Sequence, residues 1–265
     1  MTAMTMTAQD TATMLGRELR HTLRYPLMLI ASIISPVVML LLFDYILGGP
    51  IGAGLGSAAH GAPYIDYLVP GILVMTVASG TSTTAINVCT DMTGGIIDRF
   101  RTMAISRAAV LTGHVIGSLL QTLAVLVLVA GVALAIGFRS NANVLEWLAA
   151  AGLLALFAFA LIWLSAALGL AAKSVETASN TPMFLTLLPF LSSGFVVTAT
   201  MPAGLRQFAE YEPFTPVTQT VRGLLTGGPI AAHAIPAIAW SAAIALASYL
   251  WAVRLYNRRR AADLN

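Results

Sequence analysis

The sequence predicts an all-α integral membrane protein in which six transmembrane helices follow an amino-terminal interfacial helix. Three observations lead there: charge is scarce, six apolar stretches are long enough to cross a bilayer, and the arginines fall almost entirely on one side of them. Of 265 residues, 58% are hydrophobic and 9% charged. Mean hydropathy is +0.84. A soluble domain carries about 25% charged residues to cover its surface, so an ordinary soluble globule is excluded. The net charge of +3 gives no reason to expect a nucleic-acid partner. The single cysteine, Cys89, excludes an internal disulfide framework and a thiolate metal cluster.

The chain opens on "MTAMTMTAQDTATM", polar and Thr-rich, and residues 1–12 read as a disordered tail. They lack the basic region and apolar core of a cleavable signal, so the first membrane helix is expected to direct insertion uncleaved. Residues 13–25 read as an interfacial helix. Leu15, Leu19 and Leu23 recur every four residues, and Arg17, Arg20 and Arg24 form the other face, basic side toward anionic headgroups. Simple anchoring of the first span by basic residues shares most of this evidence. Pro26 ends the segment.

Crossing a hydrocarbon core of about 30 Å takes about 20 apolar helical residues. The candidate spans are 27–47, 65–88, 110–138, 147–172, 181–200 and 235–256, the fifth broken by Pro182 and Pro189. Arg17, Arg20, Arg24, Arg99, Arg101, Arg107, Lys173, Arg254, Arg258, Arg259 and Arg260 then share one side, against Arg139, Arg206 and Arg222 on the other. Cytoplasmic loops keep positive charge, so both termini are expected in the cytoplasm.

The sizeable cytoplasmic loop is 92–109, whose "DRFRTMAISR" holds four of the 25 ionised side chains in ten positions. Ile96, Ile97, Phe100 and Ala104 recur at helical spacing, with Asp98, Arg99, Arg101 and Thr102 largely opposite. Topology alone accounts for the arginines, but not for Asp98 or the apolar stripe. Residues 201–233 lie outside, and Thr215 to Leu225 is helix-like with Val217, Val221 and Leu224 on one side. That predicts short re-entrant or interfacial helices at the outer end.

The sequence carries no recognisable catalytic or nucleotide-binding motif. "GGPIGAGLGS" is Gly-rich, but the single lysine, Lys173, sits in "GLAAKS", where Ala172 replaces the glycine a phosphate loop requires. His21, His60, His114 and His233 lie on separate segments without H-E-x-x-H or G-x-S-x-G, and His114 is the least easily dismissed. The chain is therefore not expected to be an enzyme or to hold a metal or cofactor. The second span carries "ASGTSTTAINVCT", whose hydroxyls line a polar face or let helices pack closely. Candidates for a substrate path are Ser82, Thr83 and Asn87 here, with Phe184 and Phe190 in the fifth span. Asp44, near the outer end of the first span, is a candidate substrate contact or simply a headgroup-level carboxylate.

"PGILVMTVASG", "DRFRTMAISR", "IGFR" and "EPFTPVTQTVRGLLTGGP", set in this layout, resemble the membrane subunit of ABC-2 type exporters, most closely the daunorubicin-resistance permeases. The resemblance implies a single ABC-2, type V exporter-like transmembrane domain over 13–265. It makes 92–109 the coupling-helix loop, with Asp98, Arg99, Phe100, Arg101 and Thr102 seated in a groove of a separate ATPase subunit. The interfacial helix with Leu15, Arg17, Leu19, Arg20 and Leu23 would lean on that ATPase. By the same resemblance two ATPase subunits, which bind ATP and magnesium, join two permeases, identical or related. Membrane lipid and an amphiphilic, drug-like or lipid-like substrate complete the partners, in a bacterial cytoplasmic membrane, and the substrate would pass between the first, second and fifth spans. A secondary carrier would instead show intramembrane ionisable residues and internal repeats, and a membrane enzyme or assembly factor clustered catalytic groups.

Overall fold

The computed structural model describes residues 26–46, 48–49, 63–93 and 107–262. Residues 13–25, expected to form an interfacial helix, and Asp98 to Thr102, expected to couple to an ATPase, lie outside the described residues. Among those described, the chain is helical and contains no strand. Four helices are long and apolar enough to cross a membrane: α2 (Tyr64–Thr93), α3 (Arg107–Ile136), α4 (Val144–Ala171) and α9 (Ala231–Ala262).

The first helix, α1 (Pro26–Leu41), gives way to a π-helical turn, Leu42–Ile46. Its 16 α-helical residues reach about 24 Å, short of a hydrocarbon core by themselves. The expected fifth span is not one helix. It is α5 (Val175–Asn180), α6 (Met183–Leu187), a 3-10 turn Leu188–Leu191 and a turn over 192–195. Pro182 and Pro189 supply no amide hydrogen to a continuing helix, which is why the segment breaks where it does.

The core centres on α4, which packs against α9, α2, α8 and α3. Its start is fixed by a capping box. The Glu146 amide donates to Asn143 Oδ1 at 2.9 Å, and the Asn143 amide to Glu146 Oε2 at 2.7 Å. Phe157, Leu161, Ile162 and Leu170 are fully buried. On the α2 side the helices close on small residues: a Cβ at Gly169 would come within 2.5 Å of the Ala85 carbonyl oxygen. Backbones that near allow dense packing where lipid offers no hydrophobic drive. α3 meets α2 along a second such seam, where Gly80 faces Thr122 and the Thr84 hydroxyl donates to Ser118 Oγ at 2.9 Å.

The stretch before α9 forms α7 (Ala203–Tyr211) and α8 (Phe214–Thr226), ended by Gly227 in the left-handed conformation at φ 83°. α8 begins two residues before Pro216, in whose first turn that proline is tolerated. Phe214, Val217, Val221 and Leu225 are fully buried, because α8 inserts among α2, α4 and α9. Phe214 meets Phe157 edge-on at 5.0 Å.

Candidate functional site

α8 is held at both ends. Glu212 takes the amides of Phe214 at 2.8 Å and Thr215 at 2.7 Å, satisfying two donors of the helix's first turn. The carboxyl is 5% exposed, and burial pushes it up to about 7 against the pull of those two amides. At the other end, the Ser140 hydroxyl and the Asn141 amide donate to the Leu225 carbonyl at 2.8 and 3.1 Å. The α3–α4 connection is also tied to α2, through the Arg139 amide to Asp66 Oδ1 at 3.0 Å.

Between these ends, α8 faces the break in the fifth segment. Ser192 Oγ donates to the Pro189 carbonyl at 2.6 Å and accepts the Gly194 amide at 3.0 Å. The Ser193 amide donates to Thr215 Oγ1 at 3.0 Å. The carbonyls that the broken helix leaves unused go largely to Arg222. Its Nη2 donates to Ser193 at 2.9 Å, to Tyr67 at 3.0 Å and to Gly194 at 3.4 Å. Nε also donates to Tyr67, at 3.2 Å, and Nη1 to Gln219 Oε1 at 3.1 Å. The guanidinium carbon lies 3.7 Å from the centre of the Tyr67 ring. The Tyr67 hydroxyl donates to the Ser193 carbonyl at 2.9 Å, and the Tyr64 hydroxyl reaches the Phe195 carbonyl at 3.4 Å.

The sequence gives Arg222 no larger role than that of an outer basic residue. Its function as hub of the break, with Tyr67 and Glu212, is carried by contacts 155 and 29 residues apart along the chain. The available signal was a lone arginine amid apolar and hydroxyl residues, the setting in which a charge takes a specific internal partner.

The proposed path residues are distributed, not gathered. Phe190 stacks on Phe195 at 5.0 Å, and Phe195 meets Phe43 of the π-helical turn at 4.8 Å. Phe184 is 73% exposed on α6. Ser82 and Asn87 are half-buried and Thr83 exposed, all on α2. Asn87 stands about 35 Å along that helix from Tyr64, beside which Phe195 lies. Asp44 is half-buried in the π-helical turn.

At that far end of α2, Asp91 Oδ2 and His114 Nε2 are 2.9 Å apart, their side chains 13% and 11% exposed. The pair joins α2 to α3 on either side of the segment that contains Asp98 to Thr102.

A helical bundle with four helices able to cross a bilayer, a proline-broken segment and a short helix folded back into one end defines a multi-pass membrane protein of transporter type. The chain belongs to the ABC-2 type transporter family, whose profile matches residues 9–226. It is 31% identical over 218 residues to the daunorubicin resistance ABC transporter permease protein DrrB1 of Streptomyces coeruleorubidus, covering 82% of this chain and 75% of that one. It is 20% identical over 213 residues to the probable doxorubicin resistance ABC transporter permease protein DrrC of Mycobacterium tuberculosis, covering 80% and 77%.

Proposed function

We propose that this protein is the membrane permease subunit of an ATP-driven exporter that moves an amphiphilic, drug-like or lipid-like molecule out of the cell. The observation that carries this is the family match over residues 9–226, joined to the 31% identity with a daunorubicin resistance permease. Family membership implies ABC ATPase subunits as partners. In this reading ATP and magnesium are bound by two such subunits, and two permeases, identical or related, meet in the lipid bilayer. The first membrane segment α1 and the broken fifth segment complete a six-segment bundle with the four long helices.

Both termini lie in the cytoplasm in this reading. The arginine distribution supports it, and more strongly once Arg222, committed to internal carbonyls, no longer counts as a loop charge. The outer end then carries α7, α8 and the break. The loop with Asp98, Arg99, Phe100, Arg101 and Thr102 faces the ATPase, and an apolar anchor among charges suits an interface that must form in one register. ATPase closure would push α2 and α3 together through their Asp91–His114 junction.

The test is ATP-dependent uptake of daunorubicin and of a fluorescent phospholipid into inverted membrane vesicles, with the chain expressed beside its ABC ATPase. Uptake of either that requires both proteins and ATP supports the reading. Uptake driven by an ion gradient without ATP would replace it with a secondary carrier.

A further inference from the structure

Carbonyl groups released by a break in a membrane helix commonly gather around a bound cation. Here the carbonyls of Ser193 and Gly194, with that of Tyr67, converge on the Arg222 guanidinium at 2.9, 3.4 and 3.0 Å. Among the described residues Arg222 has no carboxylate at ion-pair distance. Glu212 is engaged with the first amides of α8, and Asp66 with the Arg139 amide. The positive charge is thus held by backbone dipoles, the Gln219 side chain and the Tyr67 ring.

Such an arrangement is conditional. A carboxylate keeps hold of an arginine over several ångströms, whereas dipoles hold it while they remain in place and aligned. Two further features mark the closed arrangement as one that can separate. Gly71 meets Gly194 backbone to backbone, and neither glycine carries a side chain to interlock there. The Ser193 and Thr218 hydroxyls are buried without a hydrogen-bond partner, a cost that separation would relieve.

We propose that Arg222 is a positioning residue for transport: its guanidinium takes the place of a bound cation at the break, pins residues 188–195 to the start of α2, and lets go when the outer end opens. This rests on the orientation and the exporter function proposed above.

The test uses the full chain co-expressed with its ABC ATPase in intact cells, with Cys89→Ser and Ser193→Cys. A thiol at 193 replaces a hydroxyl that already lacks a partner, so the exchange suits the site. The readout is the rate of modification by a membrane-impermeant maleimide from outside. With Arg222 present, labelling should be slow and should accelerate when the ATPase turns over. Arg222→Met should raise the resting rate at least tenfold. Arg222→Lys should be intermediate, since an ammonium keeps the charge without the fork that reaches Tyr67 and Ser193 together. A purely architectural arginine would give no graded order among the arginine, lysine and methionine forms.

Resting labelling in Arg222→Met as slow as in the parent, in protein that inserts and co-purifies with the ATPase, would overturn the pin. Should Arg222→Met fail to accumulate, a parental rate in Arg222→Lys would do the same. Fast labelling in Arg222→Met beside a parent that ignores turnover would sustain the pin and count against ATP-driven export, which keeps the two failures apart.

Discussion

A Cβ placed on Gly71 would stand 2.4 Å from the carbonyl oxygen of Gly194, so α2 and the turn at the fifth-segment break touch backbone to backbone. No real Cβ occupies such a distance, and the obstructing atom is main chain, which cannot rotate away. The contact sits beside the hydrogen bonds from Arg222 and Tyr67 to Ser193, so its closeness sets their lengths.

Gly71→Ala should therefore force the turn off α2, costing about 1–3 kcal/mol of overpacking. Transport should fall sharply while the ABC ATPase still co-purifies. A melting curve in detergent together with vesicle uptake checks this, and an unchanged midpoint would show that the backbone yields freely.

Gly169→Ala strikes a different seam, where the new methyl would lie 2.5 Å from the Ala85 carbonyl oxygen. Both partners are in long membrane helices, so relaxation needs α2 and α4 to part along their length. We expect a larger loss of folded protein than for Gly71→Ala, read as yield after detergent extraction. A yield above that of Gly71→Ala would contradict it.

Glu212 makes stability depend on pH. Its carboxyl, ordinarily at 4.5, is pushed up to about 7 by burial, so the folded protein holds this proton more tightly than the unfolded chain. The contribution is fully present below the unfolded value and is lost as pH rises through the folded one. It is on the order of 3 kcal/mol at most. Melting in detergent should be higher at pH 5 than at pH 8, and Glu212→Gln should flatten that difference. A parent that melts identically at both pH values refutes this.

Phe100→Asp should abolish ATP-dependent transport and ATPase co-purification while membrane insertion stays normal, because an interface anchored on one aromatic loses most of its energy when that residue becomes charged. Normal transport in this variant would remove the coupling role from the 92–109 loop.

Much of the bundle is legible in the sequence because apolar length is a direct signal. α3, α4 and α9 appear as uninterrupted runs, and Pro182 with Pro189 announce the break. α8 shows its apolar side through Val217 and Val221, both fully buried. What the sequence cannot display is where freed carbonyls find donors. The bonds from Arg222 to Tyr67 and Ser193 join residues with no shared periodicity. Asp91 likewise meets His114, a pairing that the spacing of 23 does not suggest. The first segment reads as a simple span because hydropathy averages over a window and is blind to the π-helical turn at its end, and the prolines of the fifth announce a break without displaying the 3-10 turn that follows it.

α9 runs for 32 residues, about 48 Å of helix, against a hydrocarbon core of about 30 Å. The surplus must tilt or protrude. Because α9 also lies along α4, its inclination is shared with the centre of the bundle. Bilayer thickness thereby becomes a mechanical input: a membrane thickened by longer acyl chains would draw α9 upright and tighten the bundle, with no ligand bound and no residue changed.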